Sequence, residues 1–231
     1  MNKIKIVIAG NKGKMGLAIE SLARDEQSRN HEKFEVMGFE KNDSPEKIIA
    51  AGDVLIDFTE PSATSRNLLI ARQYLKPMVI GTTGLSIETE KSILESSNHI
   101  AIVKSSNMSL GMNLLWKLSE LAVKAFQPLN VDIIETHHNQ KKDAPSGSAL
   151  SIKKSILDVN PQWNGRIGEH SIRSGHIFGD HTVYLSGWFE RIELTHRADS
   201  RAPFAAGALR AAEFLVNQKP RLYTMFDVLG F

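Results

Sequence analysis

Fifteen residues carry most of the chemistry this chain can offer: Glu135-Thr136-His137-His138-Asn139-Gln140-Lys141-Lys142-Asp143-Ala144-Pro145-Ser146-Gly147-Ser148-Ala149. They set two imidazoles, two ammonium groups and a helix start side by side. An imidazole exchanges protons near neutral pH, and a positioned ammonium can donate one. Lys141 is therefore the candidate donor to a carbon or nitrogen that gains hydride, and His137 can supply or orient a proton. Ser146 suits an N-cap, for a helix whose apolar face is Ala149, Ile152, Ile156 and Leu157. Gly147 leaves room for an anion at the first-turn N–H groups, and the Ser148 hydroxyl can donate as well. A carboxylate-bearing substrate is the natural occupant. If the preceding strand ran on unchanged, His137 and His138 would face opposite ways, so both reach one site only if the chain bends. Two histidines can also bind a metal, but no third ligand stands at a recognisable spacing, and no metal is expected. His138 has a plainer reading as a hydrogen-bonded, half-buried ring, and Lys142 as a solvated charge.

A second constellation opens the chain. Gly10-Asn11-Lys12-Gly13-Lys14-Met15-Gly16 lies between a strand-like and a helix-like segment, with GxxGxxG spacing. Glycines there permit a tight turn and a close approach of backbone N–H groups to a pyrophosphate, which the helix N-terminus also favours. Lys12 and Lys14 add charge. Glu40 follows about 24 residues beyond Gly16, where a carboxylate would hydrogen-bond an adenosine ribose. Lys41, next to it, could instead receive a 2′-phosphate, so NADH and NADPH both remain open. A solvated charge pair at a strand end is the alternative. Gly81-Thr82-Thr83-Gly84 and Ser105-Ser106-Asn107-Met108 each follow a strand, at the carboxyl edge where open α/β sheets bind ligands.

These loops need a frame. Ile4–Ala9, Phe34–Phe39, Val54–Phe58, Met78–Ile80 and Ile100–Val103 read as strands, mostly near-continuous apolar runs that suit a parallel sheet buried on both faces. Met15, Ala18, Ile19 and Leu22 share one helical face; Leu68, Ala71 and Leu75 share another. Ser86 is an N-cap for a segment carrying Ile87 and Leu94. Alternating strands and helices predict a doubly wound α/β sheet. After residue 108 the pattern changes. Leu114, Leu115, Leu118, Leu121, Ala122 and Ala125 form a long stripe ending near Pro128, followed by a strand over Val131–Thr136 and a polar loop over His137–Pro145. Gly175 to Arg197 read as two strands around Gly179-Asp180. A helix with Phe204, Ala208, Leu209, Ala212 and Leu215 is expected to return to the first sheet. Breaks near Asn107–Ser109 and Ser200–Pro203 divide the chain into a dinucleotide-binding domain, 1–108 with 201–231, and a substrate-binding and oligomerisation domain, 109–200.

Composition narrows the classes. With 231 residues, 42% hydrophobic, 23% charged and a net charge of +2, the chain has an ordinary globular balance. No cluster of basic and aromatic residues suggests nucleic acid or a membrane surface as partner. The first apolar run is broken at Gly10, far short of a membrane span or a signal core. The absence of cysteine excludes disulfides and thiolate chemistry and fits a cytoplasmic location.

The run from Glu135 to Ala149 resembles the E-x-HH-x-x-K-x-DAPSG-[ST]-A signature of the dihydrodipicolinate reductases. The likeness extends over nearly the whole chain. It takes in the glycine turn, Gly81–Gly84, Asn107, Gly179-Asp180-His181, Leu194–Ala198, Ser200-Arg201 and Asp227-Val228-Leu229. It implies a Rossmann-type doubly wound parallel sheet plus a second α+β domain with a mixed open sheet. It implies reduction of 4-hydroxy-tetrahydrodipicolinate by NADH or NADPH, with loss of water, in lysine and diaminopimelate synthesis, by a homotetramer. By motif position His137 is the catalytic histidine and Lys141 the proton donor, while His138, Gly147 and Ser148 hold substrate carboxylates. The dinucleotide would contact Gly10, Asn11, Lys12, Gly13, Lys14, Met15, Glu40, Lys41, Gly81, Thr82, Thr83, Ser105, Ser106, Asn107 and Met108. The chain departs from the pattern in a shortened stretch between Glu40 and Asp53, where an extra helix is often found. Asn139 and Gln140 stand where basic residues are common, and Ser148 where threonine is common.

Two other readings compete. A nucleotide-sensing regulator would bind NAD(H) on the first domain, yet would need no imidazole and ammonium beside a nicotinamide. An amino-acid dehydrogenase would share Gly10–Gly16, yet would not need the Asp143–Ala149 helix start.

Overall fold

A computed structural model describes residues 3–231, which form two compact units. The first 110 residues supply β1 (Ile4–Ala9), α1 (Lys14–Ala23), α2 (Asn30–Lys33), β2 (Phe34–Phe39), α3 (Pro45–Ala51) and β3 (Val54–Asp57). They continue through α4 (Pro61–Gln73), β4 (Met78–Ile80), α5 (Ile87–Ser96) and β5 (Ala101–Lys104). The second unit, Gly111–Arg201, holds most of α6 (Leu110–Phe126), then β6 (Asn130–His137), α7 (Gly147–Val159), β7 (Arg166–Arg173), β8 (Gly179–Ser186) and β9 (Arg191–Ala198). The chain then rejoins the first unit as α8 (Ala202–Leu215), β10 (Arg221–Tyr223) and α9 (Met225–Leu229).

The sheet of the first unit runs β10-β5-β4-β3-β1-β2, every pairing parallel. Its strands are apolar on both sides because each side is covered. On one side Ile6, Ile8, Val54, Ile56 and Val103 meet Ile19 of α1 and Ala208, Leu209, Ala212 and Leu215 of α8. On the other, Val7, Leu55, Met78 and Ile102 meet Leu68 and Ala71 of α4 and Ile93 of α5. The topology changes direction between β1 and β3, the switch point at which such sheets hold ligands. The expected return of the Phe204–Leu215 helix to this sheet is found.

The second unit carries a sheet of order β7-β6-β8-β9, with β6 and β7 parallel and the other pairs antiparallel. β6 and β8 alternate strictly between buried and half-buried residues. The buried face brings Val131, Ile133, Val183 and Leu185 together with the buried Ile152 and Ile156 of α7, which packs on β6. Toward the end of β6 that same face turns polar, with Glu135, His137 and His181 all buried.

Several expectations are corrected. Most of the stripe on α6 faces outward, since Leu114, Leu118 and Leu121 are 42%, 41% and 53% exposed, and of its leucines only Leu115 is buried. The buried face is Met112, Asn113, Leu115, Trp116, Ser119, Glu120 and Val123, and its three polar residues, Asn113, Ser119 and Glu120, disguised it. Ser119 satisfies its hydroxyl by donating to Leu115 O at 2.8 Å. Leu75 lies beyond α4 with φ +52° and is exposed, while Ile87, Leu94 and Leu157 face outward from their helices. The β8–β9 turn is Gly187–Glu190, closed by Gly187 N–H to Glu190 O at 2.9 Å, and Gly179 instead opens β8. Strand β7 escaped detection because Arg-Ile-Gly-Glu-His-Ser-Ile-Arg is too polar to read as a strand. The shortened stretch after Glu40 still holds the small helix α3.

Candidate active site

In the first unit the chain leaves β1 at Gly10, whose φ of +69° lies in the left-handed region that glycine adopts without cost. Gly10 N–H donates to Phe39 O at 2.8 Å, and Gly13 N–H to Gly10 O at 3.0 Å. A Cβ on Gly16 would run into Gly10 O and stand 2.6 Å from Asn11 Cα. The helix thus packs against the turn only because no side chain intervenes. Gly13 caps α1 without a side-chain bond, which leaves first-turn N–H groups to a ligand. This cradle suits a dinucleotide pyrophosphate. Glu40 is drawn into it, accepting Lys12 N–H at 2.7 Å. Lys41 pairs with Glu60 at 3.3 Å. Glu40, Lys41, Glu60, Arg66 and Asn67 are among the residues lining a pocket of about 260 Å³ at this edge.

The other cofactor candidates sit on loops fastened from below. Gly81 N–H donates to Asp57 O at 2.9 Å, and a Cβ on Gly81 would strike the Phe58 ring. Thr82 is buried, its hydroxyl 3.3 Å from Asp57 Oδ1, whereas Thr83 is exposed. Asp57, itself fully buried, also accepts Thr59 N–H at 2.8 Å, Thr59 O–H at 2.6 Å and Asn67 Nδ2–H at 2.9 Å. Ser105 folds its loop by donating to Asn107 O at 2.8 Å and accepting Asn107 N–H at 3.2 Å. Thr82, Thr83, Ser105 and Ser106 border a second pocket, of about 380 Å³. The Met108 side chain lies in the core, so what it offers a ligand is backbone.

In the second unit, strand alternation puts Glu135 and His137 on one face. The Glu135 carboxylate bonds His137 Nδ1 and receives both terminal nitrogens of Arg173, at 2.9 and 2.8 Å. Ser146 N–H reaches its other oxygen at 3.2 Å. The His181 ring meets His137 edge-on, with centroids 5.1 Å apart, and its Nε2 is 3.2 Å from Ser146 Oγ. β6 ends at His137, where the chain bends, and His138 follows half-buried in a turn closed by Lys141 N–H to His138 O at 3.1 Å. Lys141 Nζ stands 2.9 Å from Asp143. Ser146 caps α7 as expected, accepting Ala149 N–H at 3.2 Å, and the space where a Gly147 side chain would sit is open. Among the described residues, no group of three or more His, Asp or Glu is gathered to hold a metal.

Electrostatics here follow burial and pairing. Burial would raise the Glu135 carboxyl, but hydrogen bonds from Arg173, Ser171 and His137 outweigh it and bring the pKa down to about 2. Burial pushes His137 below the usual histidine range, against the upward pull of Glu135. Burial, aided by His137, takes His181 down to about 3. The hydrogen bond from Lys141 holds Asp143 below the usual carboxylate range. At neutral pH Glu135 is an anion and both rings are neutral.

His137, Lys141, Gly147 and Ser148 therefore occupy one unit around one helix start, and the cofactor candidates occupy the other. Sequence reasoning gave no role to Glu135, Arg173, His181 or Asp57. Alternation alone would have paired Glu135 with His137. Arg173 needed β7, whose register sets it against His137.

A parallel sheet with a glycine cradle, joined to a unit bearing an imidazole and an ammonium beside a helix N-terminus, defines a nicotinamide-dependent oxidoreductase. Family models give the particular lineage: dihydrodipicolinate reductase, N-terminus, matches residues 4–108, and dihydrodipicolinate reductase, C-terminus, matches residues 111–229. The chain belongs to the dihydrodipicolinate reductase family. It is 40% identical to the 4-hydroxy-tetrahydrodipicolinate reductase of Caldanaerobacter subterraneus subsp. tengcongensis, over 98% of each protein. It is 38% identical to that of Methanocorpusculum labreanum, over 98% of this chain and 99% of the relative. The fold matches a dipicolinate-bound dihydrodipicolinate reductase from Paenisporosarcina sp. TG-14 with TM-score 0.78 and 23% identity, over 98% and 99% of the two chains.

Proposed function

We propose that the protein reduces 4-hydroxy-tetrahydrodipicolinate to tetrahydrodipicolinate, with loss of water, in lysine and diaminopimelate synthesis. The observation that carries this reading is the grouping of His137, Lys141 and the Ser146-capped helix start within one unit of a family member. Gly10 to Met15 hold the pyrophosphate, Glu40 and Lys41 the adenosine ribose, and Gly81–Thr83 with Ser105–Met108 the nicotinamide half. When bound, the nicotinamide supplies a hydride. Gly147, Ser148 and His138 hold the substrate carboxylates, the first two at the positive end of α7. Lys141, kept in place by Asp143, donates the proton that balances the charge left by hydride addition. His137, neutral with its Nδ1 hydrogen on Glu135, orients the ring from the other side.

The same reading favours NADH. Glu40 is held at the glycine turn by Lys12 N–H, which supports a bond from a ribose 2′-OH, and the pairing of Lys41 with Glu60 counts against a 2′-phosphate. We infer a cytoplasmic homotetramer assembled through the second unit. Leu118, Leu121, Trp188 and Phe189 are exposed there, and β9 is a sheet edge.

The deciding experiment follows the loss of NADH or NADPH absorbance with freshly made 4-hydroxy-tetrahydrodipicolinate. Substrate-dependent oxidation, faster with NADH, is expected. No oxidation of either coenzyme by folded protein would overturn the reading, and a preference for NADPH would overturn the role given to Glu60. Light scattering at about four times the chain mass is the expected result for the assembly.

A further inference from the structure

We propose that Arg173 and Glu135 are positioning residues for the reduction: Arg173 grips the Glu135 carboxylate, and that carboxylate fixes the His137 ring as a neutral acceptor. This rests on the reductase reading for its catalytic consequence, and on geometry alone for its structural one. The carboxylate is an anion that can only accept, so the nitrogen it faces, His137 Nδ1, must carry hydrogen. In a neutral ring that leaves the lone pair on Nε2, which lies beside Gly179. The carboxylate cannot swing away, because both its oxygens are claimed by the Arg173 fork at 2.9 and 2.8 Å and one also by Ser146 N–H at 3.2 Å. Arg173 is itself tethered, donating to Lys141 O at 3.2 Å and to Asp143 O at 2.5 Å. The same guanidinium thus fixes the backbone on both sides of Lys142 and the carboxylate beneath His137. It couples the loop that carries Lys141 to the ring that faces it in function, one a donor and the other an acceptor.

The charged and titratable groups around His137 are Glu135 on its own strand, Arg173 on β7 and His181 on β8. Lys141 and Asp143 lie in the following loop, and His196 pairs with His181 across β8 and β9. Removing the anion and removing the cation should therefore act on the ring in opposite directions. Glu135→Gln takes away the charge that favours the imidazolium, and the His137 titration moves to lower pH. Arg173→Met takes away a charge that opposes it, and the titration moves to higher pH.

The test reads the His137 imidazole by ¹⁵N NMR in the wild-type protein and both variants, alongside the pH dependence of kcat. The expected results are the Nδ1–H tautomer in the wild type, opposed titration shifts in the variants, and a fall in kcat of at least tenfold in each with coenzyme affinity kept. An Nε2–H tautomer in the wild type overturns the proposal even if neither variant folds. Titrations that move the same way in both variants, or stay put, overturn it as well. The NMR arm needs no substrate, so its failure is distinct from a lack of turnover, which would overturn the reductase reading instead.

Discussion

Gly179 lies so close to His137 that a Cβ built on it would stand 3.0 Å from the imidazole Nε2 and 3.3 Å from Cδ2. Its backbone is ordinary strand, so the position excludes a side chain for want of space and not for want of conformational freedom. Gly179→Ala should shift the ring by a few tenths of an ångström while leaving β8 paired. Kinetics should show kcat down by about tenfold, in keeping with the sensitivity of catalysis to small misplacements, and coenzyme KM within about twofold of wild type. An unchanged kcat would show that the ring has room to spare.

Lys141→Ala removes the proposed proton donor without touching the first unit. Turnover should fall by about 100-fold or more, the usual weight of a general acid, with coenzyme binding retained. Steady-state rates and a coenzyme titration by fluorescence check this, and equal losses in both would count against the role. Asp143→Asn, which keeps the shape but not the charge beside the ammonium, should lie between the two.

Asp57 is the buried anchor beneath the Thr82 loop, one of the proposed coenzyme loops. Asp57→Ala leaves Asn67 and the Thr82 hydroxyl without their acceptor, a loss of about 3 kcal/mol or more for a buried, multiply bonded carboxylate. Urea denaturation should report the lower stability. Coenzyme affinity should also drop, because the Thr82 loop keeps its Gly81 backbone bond but loses its side-chain anchor. A stable variant with normal coenzyme binding would contradict this account.

Acid should destabilise the second unit in two stages. His181 is pushed down to about 3 from the ordinary histidine value, so the unfolded chain binds its proton more readily. Its contribution is complete above about pH 6.5 and is lost as pH falls toward about 3, by at most about 1.4 kcal/mol per pH unit. Glu135 adds a second loss between its ordinary value and about 2. Melting temperature against pH should slope downward below about pH 6.5, and His181→Gln should flatten the upper part of that slope.

Much of this fold is legible in the sequence. Five of the six strands of the first unit, the caps Ser86 and Ser146, and the return of the α8 segment all rest on local signals: apolar runs, helical spacing and capping chemistry. Misreadings occurred where two patterns overlapped. On α6, the exposed leucines have the same spacing as the buried face, and period alone does not say which stripe turns inward. Gly179 looked like a turn because its true reason, the nearby ring, belongs to a residue 42 positions earlier. The Arg173–Glu135 fork was hidden for the same cause, since it joins two strands whose pairing is a tertiary fact.

The first unit is made of two stretches of chain separated by the whole of the second. Its sheet gains the β10 edge and its α8 cover from residues beyond 201. During synthesis the ribosome therefore releases the complete second unit while the first still lacks that cover. Helix α1 already packs over β1, but Val54 and Val103 lack their share of that cover until α8 emerges. Strands made before the second unit are thus covered in part by a helix made after it. In that interval a nascent-chain chaperone has an exposed apolar sheet to bind.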